Sequence, residues 1–342
     1  METRRLVLLM IFSLSLIMLW DNYQASIGKP TLFGLSTGAQ TVDQNDTAKQ
    51  AGTASAVNDL PNAASTPAAG TSDVPADPNA IAAPAAEVAP AAQTITVKTD
   101  VLELQFSTQG AQLITSKLLN HPAAENPELP VQLFEQTAKR TYVGQAGLVG
   151  VPDAPNHRTL FELVSGPTDF AAGQDSLNLV FKATSGAIES TYTYTVFKNR
   201  YDIDLVIQAR NVNAEPVSPS AYVQITRDGN PLESDSSLYA TFTGPAVYTP
   251  EKKYQKIDFE DIADRSADYV KTADSGWLAM IQHYFVSAII GQDGPRENYT
   301  RQVDSNLYSI GLVSSLGTMA PEQTATYKAK LYTGPQDQSV LE

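Results

Sequence analysis

From Thr94 to Tyr332 one pattern recurs, apolar and polar residues alternating over short runs, and few folds can accommodate it. Ile95 and Val97, then Leu102, Leu104 and Phe106, fall on one side of an extended chain, because successive side chains of a strand point to opposite faces. Similar runs stand at 131–134, 141–149, 159–164, 177–183, 221–226, 239–242, 299–303, 307–313 and 324–332. The runs 188–197 and 201–209 flank Lys198-Asn199-Arg200 and read as a hairpin; Tyr192, Tyr194 and Val196 alternate with threonines in its first arm. Strands spaced at about ten residues, with Gly, Pro and Asn between them, imply a sandwich or a barrel. No repeat of propeller or solenoid length is present. The expectation is one mainly β domain of two large twisted sheets over 94–336, with 337–342 as a tail.

The centre of that domain is expected at 275–290, SGWLAMIQHYFVSAII. Its apolar residues occupy every side of a helical wheel, so no amphipathic stripe emerges. Gly276 precedes it and Gly291-Gln292-Asp293-Gly294-Pro295 stops it. It reads as a buried strand pair, or one bent strand, broken at Gln282-His283, with a helix as the alternative. Two apolar faces suit a strand in the middle of a two-layer core. His283 beside Gln282 and Tyr284 has the residue type of a general base, but in so apolar a run it reads as a satisfied core histidine.

Upstream the chain has a different character. Arg4 and Arg5 precede Leu6–Trp20, fifteen residues without a charge, and Trp20 lies where an aromatic belt would sit. Such a helix rises about 22 Å against a hydrocarbon core of roughly 30 Å, a gap that snorkelling by Arg5 and local thinning can cover. A cleavable signal peptide is the competitor, and Ser26-Ile27-Gly28 followed by Lys29-Pro30 makes a poor cleavage site. Residues 1–24 are therefore expected to be an uncleaved transmembrane signal anchor in contact with lipid, its N-terminus held in the cytoplasm by Arg4 and Arg5. Residues 25–93 are rich in Ala and Pro and repeat at no structural period. They are expected to be a disordered linker, unable to bury enough apolar surface to offset the entropy of ordering.

Little in the chain points to catalysis. The absence of cysteine excludes disulfides and thiolate metal sites, and a net charge of −14 argues against nucleic acid. Asp258, Glu260, Asp261 and Asp264 read as a solvated face, and Asp228-Gly229-Asn230-Pro231 as a turn. No nucleophile elbow, phosphate loop or HExxH occurs, and neither cofactor nor metal is expected. One stretch departs from the acidic background: YTPEKKYQKIDF over 248–259 sets Lys252, Lys253 and Lys256 among Tyr248 and Tyr254. It reads as a surface loop, either a docking patch for another protein or lysines that balance nearby carboxylates.

The anchor and linker followed by TVKTDVLELQFSTQGAQLITSKLL resemble the start of the periplasmic domain of the YidC family of bacterial membrane protein insertases. FTGPAVYTPEKKYQKIDFEDIAD, SGWLAMIQHYFVSAII and the closing LYTGPQ are similar to further segments of that domain. Gln109-Gly110-Ala111 departs from the family's Gly-Gly pair. The resemblance implies a β-supersandwich related to mutarotases and carbohydrate-binding domains. It also implies insertion and folding of inner-membrane proteins, alone or with the Sec translocon, the domain lying in the periplasm. In the family, insertion is attributed to a later transmembrane bundle that this sequence does not display, so no residue is carried over for it. The chain is expected to serve as anchor and docking domain. A carbohydrate-binding or mutarotase-like envelope protein and a generic anchored interaction domain are the alternatives; the former calls for a Glu and His pair in a cleft.

Overall fold

A computed structural model of the chain describes residues 60–61, 91–124, 126–231 and 242–336. The expected anchor, with Arg4, Arg5, Leu6 and Trp20, lies outside the described residues, as does most of the expected linker.

The described residues form two antiparallel sheets. The ten-stranded sheet runs in the order β1 (Thr94–Lys98), β2 (Leu102–Ser107), β3 (Gln112–Pro122), β6 (Thr141–Val149), β11 (Ser220–Asp228), β18 (Leu307–Ser315), β17 (Arg296–Asp304), β14 (Thr272–Ala273). Two short strands, β4 (Pro130–Gln132) and β5 (Glu135–Gln136), pair with β3 and β6. The nine-stranded sheet runs β13 (Lys253–Lys256), β12 (Thr243–Thr249), β15 (Trp277–Gln282), β16 (Phe285–Gly291), β19 (Thr324–Pro335), β10 (Asp202–Asn211), β9 (Ile188–Phe197), β8 (Ser176–Ser185), β7 (Glu162–Ser165). A short helix, α1 (Phe259–Ala263), follows β13.

The two sheets share one main core, which takes alternate residues from their facing sides. Ala221, Val223 and Ile225 of β11 meet in it with Ile203, Leu205 and Ile207 of β10 and with Leu278, Met280 and Ile289 of the β15–β16 pair. At the outer strands the period-two rule is plain: β9 alternates buried and half-buried residues along its whole length. At the centre it gives way, since all nine residues of β11 are buried. The second faces of the central strands have small clusters of their own. Ala246, Ala279, Ile281, Val286, Ala288 and Tyr332 form one behind the nine-stranded sheet. Val149, Tyr222 and Val313 form another behind the ten-stranded sheet.

The stretch at 275–290 is a hairpin of β15 and β16, which settles the choice between strand pair and helix. Its apolarity on both sides follows from serving the main core with one face and a satellite cluster with the other. His283 corrects the sequence reading. It sits in the hairpin turn with φ +53°, half-buried and stacked on the exposed Tyr284, and is no core histidine. Further strands escaped the alternation rule, among them β3 and the β12–β13 pair. A register shift at Gln105/Phe106 breaks the rhythm of β3, and Gly244-Pro245 with Pro250 disguises the pair as loop.

Several tyrosines lie wholly inside the sandwich. Burial pushes the Tyr142 hydroxyl up to about 12 against the attraction of the Arg227 cation nearby, and burial pushes Tyr192 and Tyr194 higher still. A proton held more tightly in the folded than in the unfolded chain stabilises fully below the ordinary phenol value of about 10 and is lost as pH rises through the folded value. The urea midpoint of the chain should therefore hold steady from pH ~7 to ~9 and fall steeply above ~10. Tyr142→Phe should flatten that fall by one proton's worth. A midpoint flat up to pH ~12 would contradict this assignment of buried phenols.

Candidate functional site

The edge of the nine-stranded sheet carries the residues that stood out in the sequence, but as a hairpin and not as a loop. β12 and β13 pair with Tyr248 opposite Tyr254 and Ala246 opposite Lys256. Pro250, Glu251 and Lys252 connect them, and Lys253 completes the turn at φ +59°. The Lys252 amide donates to Thr249 Oγ1 at 3.3 Å. A three-residue connection ending in a left-handed residue matches the twist of the flanking strands.

On its other side β12 pairs with β15, and Tyr248 lies opposite Trp277. Gly276, at φ +112°, makes that approach feasible, since a Cβ there would meet the Tyr248 carbonyl oxygen at 2.1 Å. The Tyr248 and Trp277 rings stack with centroids 5.4 Å apart and planes 10° apart, and Tyr254 leans on Trp277 at 5.9 Å. Three aromatic side chains from three strands thus form a platform facing away from the main core. Tyr254 remains 43% exposed, and partial burial raises its hydroxyl above the ordinary phenol range. Lys252, Lys253 and Lys256 are all exposed. Lys256 shares the aromatic side of β13, with its ammonium 4.8 Å from the centre of the Phe242 ring. Ile290, opposite Trp277, continues the apolar surface into the satellite cluster.

The structure therefore brings Tyr248, Tyr254 and Lys256 to one face, places Lys252 and Lys253 at the hairpin tip, and adds Trp277. That residue was missed in the sequence because only the strand register joins it to the hairpin. Such an arrangement offers stacking, apolar contact and cationic hydrogen-bond donors, the means of recognition and not of bond-making.

Elsewhere the chemistry is sparse. The carboxylates Asp258, Glu260, Asp261 and Asp264 lie exposed on and beside α1, as a solvated face. Among the described residues no group of three His, Asp or Glu side chains could hold a metal ion. His157 Nδ1 lies 2.5 Å from the Tyr222 hydroxyl and His121 Nε2 3.1 Å from that of Tyr201. A cavity of about 380 Å³ opens between α1 and β17, with Arg265, Tyr269, Lys271 and Arg301 in its wall.

A family model for the YidC periplasmic domain matches residues 94–342. Over its whole length the chain is 43% identical to a membrane protein insertase YidC of Bordetella petrii and 38% to one of Janthinobacterium sp., spanning 60% and 59% of those proteins. The chain thus spans about three fifths of the curated relatives it matches. Among solved structures, a galactose mutarotase related enzyme of Lactobacillus acidophilus is similar over 72% of this chain and 99% of its own, at 8% identity and a TM-score of 0.45. A putative aldose 1-epimerase of Escherichia coli is similar over 71% and 99%, at 11% identity and a TM-score of 0.43.

Trp277→Ala tests whether the platform is one unit. Removing a partly exposed indole should cost about 1–3 kcal/mol, below the 3–5 of a fully buried one, and leave the sheets formed. The Tyr254 hydroxyl should then titrate closer to ~10, because the burial that raises it is lost. Ultraviolet titration against a Tyr254→Phe reference measures this, and an unmoved midpoint would show that Tyr254 does not depend on the indole.

Proposed function

The chain belongs to the YidC periplasmic-domain family, and from that premise we propose that its sandwich is the partner-docking domain of a membrane protein insertase. The whole protein, on this reading, inserts and folds nascent inner-membrane proteins, alone or with the Sec translocon. Residues 1–24 anchor it in the inner membrane with the N-terminus cytoplasmic, residues 25–93 tether it, and the sandwich stands in the periplasm. Among the described residues no helix is long and apolar enough to cross a membrane. Insertion needs a polar groove within the hydrocarbon, where each unsatisfied backbone group costs several kcal/mol. A sandwich whose strands are all paired and packed supplies no such groove, so that step is assigned to the part of the relatives that this chain does not span.

The observation that carries the reading is the Tyr254–Tyr248–Trp277 platform beside exposed lysines in a chain of net charge −14. Rigid aromatic side chains give contact area at low entropic cost, and cations on the rim select an acidic partner surface and speed its encounter. The test is a photo-crosslinking residue at position 254 in bacterial membranes. Adducts to Sec translocon subunits are expected, and changing Lys252, Lys253 and Lys256 together to Glu should lower their yield several-fold. Exposed substitutions of this kind shift stability by only about 0.5 kcal/mol each, so the fold is kept. A yield indifferent to the triple reversal would refute docking through this edge.

A further inference from the structure

Two residues from far upstream of the sandwich, Leu60 and Pro61, are seated on the outward face of the ten-stranded sheet. Leu60 packs against the cluster of Val149 from β6, Tyr222 from β11 and Val313 from β18, beside Tyr299 from β17. Pro61 is buried, and the Arg301 guanidinium donates a hydrogen bond to the Leu60 carbonyl oxygen. Four neighbouring strands thus supply one side chain each to the contact with Leu60, and a fifth group reads the backbone.

The contact surface has a fixed shape. A Cβ at Gly147 would come within 2.4–2.6 Å of the Tyr222 ring and hydroxyl, and one at Gly311 within 2.5 Å of the Tyr299 hydroxyl. These two glycines let both tyrosines lie across the sheet instead of standing off it. The Tyr222 hydroxyl is held by His157 Nδ1 at 2.5 Å. The Tyr299 hydroxyl donates to Gln224 Oε1 at 2.7 Å, and Gln224 Nε2 donates to Gln145 Oε1 at 2.6 Å. Arg301 lies with its guanidinium carbon 5.6 Å from the Tyr299 ring centre and a second nitrogen 3.5 Å from Gln224 Oε1. Aromatic walls set by buried and part-buried hydrogen bonds, with one cation aimed at a carbonyl, suit a short extended peptide.

The ligand's own chemistry fits. Proline at 61 pushes the residue before it towards extended backbone, which sends the Leu60 side chain and its carbonyl in different directions. One meets the apolar cluster and the other meets Arg301. We propose that the outward face of the ten-stranded sheet is a peptide site occupied by the chain's own Leu60–Pro61 segment, an intramolecular latch that shortens the tether. So small a contact is weak between separate molecules. Within one chain the segment is present at an effective concentration on the order of millimolar, which favours occupancy. On the reading proposed above, the tether that begins at residue 25 then ends at Leu60 and not at Thr94.

Because the chain has no cysteine, two introduced ones can be spin-labelled without background. Cysteines at Asn62 and at Ser305, the latter exposed in the turn between β17 and β18, report the latch in the full chain by pulsed electron–electron distance measurement. A narrow distance distribution is expected, broadening several-fold in Leu60→Asp and less in Arg301→Ala, with the circular dichroism of the sandwich unchanged. Dilution with unlabelled chain should leave the narrow component intact. A parent distribution as broad as that of Leu60→Asp would overturn the latch. A narrow component that vanishes on dilution would overturn it equally, by assigning the contact to a second copy.

Discussion

The structure rests on the packing of two sheets whose central strands are buried on both faces. An antiparallel sandwich ordinarily buries one face of each sheet and wets the other. Here β11 contributes Ala221, Val223 and Ile225 to the main core, while Tyr222 and Gln224, pointing the opposite way, are equally inaccessible. β15 and β16 do the same in the other sheet, through Leu278, Met280 and Ile289 on one side and Ala279, Ile281, Val286 and Ala288 on the other. The second faces are therefore part of the fold and not bare surface.

Both functional proposals grow from those second faces. Behind the nine-stranded sheet the satellite cluster runs through Ile290 and Trp277 to the half-exposed Tyr254, so apolar surface reaches water at that edge. Behind the ten-stranded sheet the satellite cluster is covered by Leu60, a residue of the chain's own. Glycines make room in each case, Gly147 for the Tyr222 ring, Gly311 for that of Tyr299, and Gly276 for the backbone of Tyr248. β13, the outermost strand at that edge of the nine-stranded sheet, is short and carries Lys253 and Lys256, which discourages indiscriminate strand addition while leaving the aromatic face open.

The parts of this arrangement that were legible in the sequence are those governed by local pattern. Alternation located β6 and β9 to the residue, because neither contains a bulge or a proline. The double apolarity of 275–290 favoured a buried strand pair or one bent strand over a helix, and the structure shows the pair. The β12–β13 hairpin was legible as composition, through Tyr248, Tyr254 and three lysines, but its strands were hidden by Gly244, Pro245 and Pro250. Pro245 is tolerated near the start of β12, where its carbonyl still accepts from the Ile257 amide. Trp277 and Leu60 were beyond reach for a different reason. Cross-strand register and long-range docking join residues that no sequence window contains, and a leucine before a proline in an Ala/Pro-rich stretch has nothing local to mark it.

The central claim is that the β12–β13 edge with Trp277 receives the partner, the central strands being buried on both faces. Amide hydrogen exchange on the intact protein in native membranes tests it most directly. Amides of β6, β11, β15, β16 and β18 should exchange only through global opening, whether partners are present or not. Those of Lys253–Lys256 should exchange rapidly in detergent-purified protein and become protected at least tenfold in membranes that contain the Sec translocon. Protection that arises instead along β7 and β8 at the opposite edge, or none at Lys253–Lys256, would contradict the account.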